Sequence, residues 1–336
     1  MVLALIRPAD SKPTPMPIQC LSNRVPLLRP GFHANLFSQL FTGKPAAMNK
    51  SHVFVLAFTL FICGCSTIHL FYRNADWYLQ YKINSYTSFN APQKELIRQD
   101  VSDYMHWHRK YALPEYIIFL QNLNGAVQYQ GQLEAEDVAL MREQLINLYQ
   151  KTLAPAIGPA AKILSMLDSR QIQELKNNLA EENQQRLNEQ LETSRDEYLN
   201  KRAEKTVNFI EWLAGNLSAR QEQQVKNMSR HIPVVIDMYI RHRQENQSRL
   251  IALLNNHAGE EKIAAFLSSW IFTPEETRSP QHQLAIQKLE RASDEMISHI
   301  QGMLTVQQKN HIHKMISSYI DDMRAEIAKS GHVSSK

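Results

Sequence analysis

From about residue 70 onward, apolar side chains recur at intervals of three and four. Leu96, Val101, Tyr104 and Met105 do so in one segment, Leu140, Leu145, Leu148 and Tyr149 in another, and Ile312, Met315, Ile316, Tyr319 and Ile320 near the end. That is the period of an amphipathic helix, whereas no stretch alternates cleanly as a half-buried strand does. The pattern predicts helices over roughly 74–88, 92–111, 114–129, 135–153, 169–213 with a break near 182–190, 219–257 with a bend at Pro233, 259–270, and 281–329 in two pieces around Gly302. Short connections favour antiparallel neighbours, so the expected fold is all-α: an elongated multi-helix bundle of antiparallel helices with no sheet. The segment Glu181 to Arg186 is polar all round and reads as a solvated or frayed stretch of helix.

Helix starts are legible. Thr273-Pro274-Glu275-Glu276 sets a capping residue before a proline and a glutamate, and Ala91-Pro92 and Leu113-Pro114-Glu115 also place proline where a first turn tolerates it. Gly125, Gly131, Gly158, Gly215 and Gly259 fall near proposed ends or joints. One start pattern recurs: Phe89-Asn-Ala-Pro-Gln93, Leu167-Asp-Ser-Arg-Gln171, Leu217-Ser-Ala-Arg-Gln221 and Leu304-Thr-Val-Gln-Gln308, with Leu133-Glu-Ala-Glu-Asp137 as a weaker fifth. Each has an apolar residue, a capping residue, two variable positions and Gln. In a capping box, Asn90, Asp168, Ser218 or Thr305 accepts from the third helical amide while the Gln reaches back, and each such cap contributes ~1 kcal/mol. The spacings between them are irregular, which excludes a solenoid of fixed period.

Composition changes the picture only at the N-terminus. The chain of 336 residues carries a formal charge of +4. Residues 1–64 hold six basic residues (Arg7, Lys12, Arg24, Arg29, Lys44, Lys50) against one acid, Asp10, so the remainder is close to neutral. All three cysteines lie at or before position 65, and seven of the 14 prolines lie before position 48. Residues 1–47 therefore read as a disordered extension from an overlong gene start, with Met48 the expected initiator.

From Met48 the order is that of a secretory signal: a short basic start through Lys50, a ten-residue apolar run from Val53 to Ile62 interrupted only by Thr59, and Ile62-Cys63-Gly64-Cys65. The run is shorter than the ~20 residues that span a bilayer. Ile62 to Cys65 resembles the lipobox of bacterial lipoproteins. The resemblance implies cleavage after Gly64, acylation of Cys65, and a mature chain of residues 65–336. Ser66 is not the Asp that retains enteric lipoproteins at the inner membrane, so the implied destination is the periplasmic face of the outer membrane. A non-lipidated signal or a buried apolar helix are the other readings of the run. Residues 66–336 have no thiol, so no disulfide forms within them.

Aromatic residues concentrate at 71–120. Asn74-Ala75-Asp76-Trp77, Pro92-Gln93, Trp107-His108-Arg109 and Leu113-Pro114-Glu115-Tyr116 occur in that order. In these motifs the chain resembles a family of proteobacterial lipoproteins known only as a domain of unknown function. The likeness supports location and fold and implies no activity. The recurring start pattern, five residues at a time, is similar to the Leu-Thr-x-x-Gln motif of small periplasmic helical chaperones of the Spy type. Trp77, Trp107, His108 and Arg109 form the candidate binding surface. Packing between the first helices is the plainer reading of the four, and seating of Phe71, Tyr72 and Trp77 at lipid headgroup level is a third.

Chemistry-bearing patterns are sparse. His106/His108 and His311/His313 are two apart, which turns them to different faces of a helix and suits solvated side chains better than metal ligands. No phosphate loop, nucleophile elbow or His-Glu-x-x-His motif occurs, and the acid pairs are adjacent and surface-like. The basic residues from Arg230-His231 to Arg241-His242-Arg243 read as a solvated helix flank, with contact to an anionic headgroup or peptidoglycan as the other reading. The near-neutral body and the implied compartment disfavour nucleic acid. The expectation is a non-enzymatic lipoprotein with no cofactor and no metal, held on the membrane and acting by binding protein clients or envelope components. Its role would be in envelope maintenance, as a chaperone or as a scaffold. A periplasmic hydrolase or peptidoglycan-active enzyme is the second reading.

Overall fold

A computed structural model describes residues 67–191 and 194–332. The extension 1–47, the signal 48–64 with Gly64, and Cys65 lie outside the described residues. The described chain is all-α: α1 (Thr67–Asn84), α2 (Ala91–Trp107), a π-helical turn (His108–Ala112), α3 (Leu113–Gln128), α4 (Ala135–Ser165), α5 (Ser169–Leu191), α6 (Arg195–Ala214), α7 (Ala219–His231), α8 (Ile236–Asn255), α9 (Glu260–Phe272), a 3-10 turn (Pro274–Thr277), α10 (Pro280–Met303) and α11 (Val306–His332).

The four full start motifs form capping boxes. Gln93 N–H donates to Asn90 Oδ1 at 2.9 Å, Gln171 N–H to Asp168 Oδ1 at 2.8 Å, Gln221 N–H to Ser218 Oγ at 3.3 Å and Gln308 N–H to Thr305 Oγ1 at 3.2 Å. In return, each Gln Oε1 accepts from the backbone N–H of its own capping residue. The fifth motif makes the returning bond, Glu134 N–H to Asp137 Oδ2 at 3.2 Å.

The motifs also act in pairs. Gln93 and Gln171 face one another, each 1% exposed, and exchange two amide bonds of 3.2 and 2.7 Å. Gln221 and Gln308 do the same at 2.9 and 3.2 Å. The second Nε2 hydrogen goes to a backbone carbonyl: Gln93 to Met166, Gln171 to Ser88, Gln221 to Met303 and Gln308 to Asn216. In every case that carbonyl lies five residues before the partner Gln. A side-chain amide offers two hydrogens and two lone pairs, and all four are used in each Gln. Each clasp thus ties the starts of two helices and the ends of the two helices before them.

The shared geometry reveals a duplication. Counting from each Gln, positions +4 and +8 are buried throughout: Ile97/Val101, Leu175/Leu179, Val225/Ser229 and Ile312/Ile316. Positions −14 and −18 are buried on the helices before the first and third motifs, as Leu79/Ala75 and Val207/Ala203. Helices α1, α2, α3 and α5 thereby correspond to α6, α7, α8 and α11, and the long α4 stands where α9 and α10 stand in the second half. The irregular spacing hides this, because the repeated unit is a pair of motifs rather than one.

Two apolar cores result. One gathers buried residues of α1, α2, α4, α5, α8 and α9, including Ala75, Val101, Ala156, Leu175, Leu250 and Leu267. The other joins Val207, Ile210, Val225, Ile312 and Ile316 of α6, α7 and α11 with Ile117, Leu120 and Leu123 of α3. Helices α3 and α8 are therefore exchanged: each packs on the last helix of the opposite half, α3 on α11 and α8 on α5. At the α4–α10 contact, Arg142 grips the buried Asp294 with Nε and Nη2, both at 3.0 Å.

Several sequence expectations are corrected. α4 runs through Pro155 and Pro159 to Ser165 instead of ending near 153, and Gly158 lies inside it. An internal proline costs about 3 kcal/mol, and burial of Leu153, Ala156, Ile157, Ala160, Ala161 and Ile163 opposes that cost. Pro114 does stand in the first turn of α3, but α3 follows α2 through a π turn with no loop between them. The Pro114 ring would strike the carbonyl four residues back, and the widened turn at 108–112 accommodates it without breaking the rod. Thr273 caps nothing and donates to Ser269 O at 3.3 Å; the following turn is 3-10, and Ser279 caps α10 at His282 N–H. The last joint is at Leu304-Thr305, and Gly302 lies within α10, where a Cβ would meet Gln132 at 2.9 Å. Gly215 does end its helix, with φ +80°.

Replacing Gln93 with Ala strands the Met166 carbonyl, the Asn90 amide and one side of Gln171. With about 1–3 kcal/mol at stake per buried polar group left unpaired, urea denaturation is expected to show a loss of about 3 kcal/mol. Gln93→Ala and Gln171→Ala should couple by at least about 0.5 kcal/mol, whereas Gln93→Ala and Gln221→Ala, in separate clasps, should be additive. Equal additivity in both cycles would refute the clasp.

Candidate functional site

The π turn brings the conspicuous aromatic residues together. His108 Nδ1 lies 2.8 Å from the Tyr72 hydroxyl, and the His108 ring stacks on Tyr116 with centroids 5.8 Å apart. Tyr104 and Trp107 close the other side, with ring centroids at 5.9 and 6.3 Å from His108. Arg109 sits 5.4 Å above the Tyr72 ring and donates to Tyr72 O at 3.2 Å. Below them, Thr152 Oγ1 donates to Leu148 O, so it accepts from the Tyr116 hydroxyl at 2.9 Å; the Tyr104 hydroxyl donates to Thr152 O at 3.1 Å. The extra residue of a π turn rotates 108 and 109 toward α1, which a regular continuation of α2 would not do.

Burial, and then the Arg109 charge, push the His108 pKa down to about 4. Burial pushes the Tyr72, Tyr104 and Tyr116 hydroxyls up. At neutral pH the ring is therefore neutral and the tyrosine is protonated, so the hydroxyl donates to Nδ1 and the imidazole proton sits on Nε2. The cluster acts as a joint fastening α1 to α2, α3 and α4.

Of the predicted surface residues, Trp107, His108 and Arg109 meet here, half-buried, and Trp107 packs against the first core. His108 is thus not a solvated histidine, although His106, His311 and His313 are exposed. Trp77 is 48% exposed on the outer side of α1 and stacks on Tyr81, centroids 5.5 Å apart and planes within 13°. Tyr72 is buried at the joint rather than outward.

A second polar cluster was hidden in the supposed solvated flank. His231 and Arg241 are exposed, but His242 and Arg243 are buried. His242 Nε2 lies 2.8 Å from Thr277 Oγ1 and 3.1 Å from Asn246 Nδ2, and its ring meets His282 edge-on at 5.4 Å. Arg243 pairs with Glu182 at 2.7 Å, and Asn183 donates to Gln247 at 2.6 Å. The polar stretch 181–186 therefore faces a polar partner instead of water alone. The legible signal was spacing: His242, Asn246 and Leu250 fall on one face of α8, in line with Leu254. Burial pushes His242 down to about 4, with His282 and Arg278 adding to it and Glu245 opposing; His282 is lowered for the same first reason.

Between α1, α2, α4 and α9 lies an apolar cavity of ≈ 60 Å³ lined by Ile83, Phe89, Ile97, Val101, Pro159 and Leu267. Asp100 borders it, its carboxyl raised by burial. Among the described residues, no group of three His, Cys, Asp or Glu side chains is placed to hold a metal ion, and no helix is long and apolar enough to cross a membrane.

The site and fold define a duplicated, clasped helical bundle. Residues 85–275, from the loop before the first clasp to the 3-10 turn, match the model of DUF6279, a family of unknown function; the chain belongs to that family. No curated protein and no solved structure matches the chain.

The buried histidines set a pH dependence. Unfolded, they take up protons below the ordinary 6.5, while folded His108 and His242 resist to about 4. Unfolding is then favoured progressively as pH falls from 6.5 to 4. The melting temperature should drop across that window, and less steeply in His108→Gln/His242→Gln. A wild-type curve flat from pH 7 to 4.5 would contradict the assignment.

Proposed function

We propose that this chain is a bacterial lipoprotein, anchored through acylated Cys65 to the periplasmic face of the outer membrane, whose helical domain acts by binding polypeptides in a chaperone-like or scaffolding role. The observation that carries this reading is the pairing of the four start motifs. As separate caps they would be commonplace. Placed at equivalent positions in a duplicated frame, they strengthen the likeness to the Leu-Thr-x-x-Gln motifs of Spy-type chaperones. The outer surface supports it too. Phe209 and Trp212 on α6 are 57% and 54% exposed with rings 5.8 Å apart, and they offer aromatic contact area that a stable core does not use.

Cys65→Ser should move the protein from the membrane to the soluble fraction; full retention would exclude the lipid anchor. The purified domain should slow aggregation of an unfolded client, and Phe209→Ser/Trp212→Ser should weaken that effect several-fold with an unchanged melting temperature. No suppression at several-fold molar excess would refute the chaperone-like role.

A further inference from the structure

The outer face of α1 has a composition that its own duplicate lacks. Arg73, Trp77 and Tyr81, spaced by four, form an exposed stripe opposite the buried Tyr72, Ala75, Leu79 and Ile83. Relative to the clasp glutamines, the equivalent positions on α6 are Lys201, Lys205 and Phe209, all exposed. Both helices thus have a cation at the first position and an aromatic at the third. At the middle position α1 has Trp where α6 has Lys, so within the stripe only α1 carries a stacked ring pair, while Phe209 on α6 pairs with Trp212 off it. Phe71, 52% exposed, extends the apolar surface toward the start of the helix.

Position distinguishes the two helices. α1 begins at Thr67, two residues beyond Cys65, whereas α6 begins at Arg195. At 1.5 Å per residue, Trp77 and Tyr81 lie about 15 and 21 Å along the axis from Thr67. A helix tethered that closely by acyl chains has its first turns within reach of the bilayer. Trp and Tyr favour the headgroup region, where the ring meets acyl chains and the polar tip meets water, and arginine pairs with phosphate while its stem stays apolar. Asp76 is the one acid on α1, and it is off the stripe.

We infer that α1 lies along the phospholipid surface, with Trp77 and Tyr81 at headgroup depth and Arg73 on lipid phosphate. This rests on the anchoring of Cys65 proposed above. Lipid fixes one end, and the stripe fixes which face of the bundle turns to the membrane. The joint of Tyr72, His108 and Arg109 then carries that orientation into α2 and α3, because Tyr72 occupies the opposite side of the same helix.

The test uses the mature lipidated protein in phosphatidylethanolamine/phosphatidylglycerol vesicles, with and without lipid brominated near the headgroup end of the acyl chains. Flotation reports anchoring, and tryptophan quenching reports depth. The wild-type protein should float and lose part of its fluorescence to the bromolipid, and Trp77→Phe should float equally with that quenching lost. Trp77 is exposed and, among the described residues, its ring stacks on Tyr81 alone, so the variant should melt like wild type. Flotation with no quenching, or with equal quenching in Trp77→Phe, would overturn the inference and leave the anchor standing. Failure to float would overturn the anchor itself, and the inference with it. A change in Trp77 emission on adding an unfolded client, with no bromolipid quenching, would assign the stripe to protein and also overturn the inference.

Discussion

The architecture depends on a side-chain amide meeting its own kind out of water. In each clasp two glutamines use every donor and acceptor they have: on each other, on their own helix starts and on the carbonyl ends of the preceding helices. A buried polar group left unpaired costs far more than the net gain of a satisfied one, so the arrangement tolerates little displacement. The caps are local, but the amide hydrogens find their partners only when all four helix ends arrive together. That requirement sets the angle at which each pair of helices leaves the clasp, and with it which residues at +4 and +8 face inward.

The duplication follows from this constraint, but the halves have diverged where neighbours differ. At +12 the first half carries Asn183, bonded to Gln247, and the second carries Ile320 in an apolar core. The first core therefore shades into a polar seam of Glu182, Arg243, His242 and His282, while the second stays apolar. The π turn is a similar local solution. Proline at 114 cannot donate, and widening the helix lets it pass while bringing His108 under Tyr72.

The fold class, most helix starts and all four capping boxes were legible in the sequence, because each rests on spacing within a few residues. Asn124-Gly125, a hairpin pair in other settings, lies inside α3, where the surrounding period of three and four prevails. What the sequence hid was long-range. A glutamine at the third helical position looks the same whether its amide hydrogens go to water or to a second glutamine 78 residues away. His242 and Arg243 look like surface residues until α5 and α10 are placed against them. Trp107, His108 and Arg109 meet in one half-buried cluster, and composition does not separate them from Trp77, which lies on the far side of α1.

The exchange of α3 and α8 has a consequence for the order in which the chain can fold. The second core takes Ile117, Leu120 and Leu123 from α3, yet their partners Ile312 and Ile316 are on the last helix. Asn124 reaches His313 across 189 residues. A chain emerging from its N-terminus can therefore seat the start of α3, Leu113 and Tyr116, on the first core early, while Ile117, Leu120 and Leu123 wait for α11. Neither half can close as a self-sufficient domain, and a stop anywhere before α11 leaves an open apolar face. The buried residues of the first core end at Trp270 on α9, so the two cores differ in how much of the chain each must wait for.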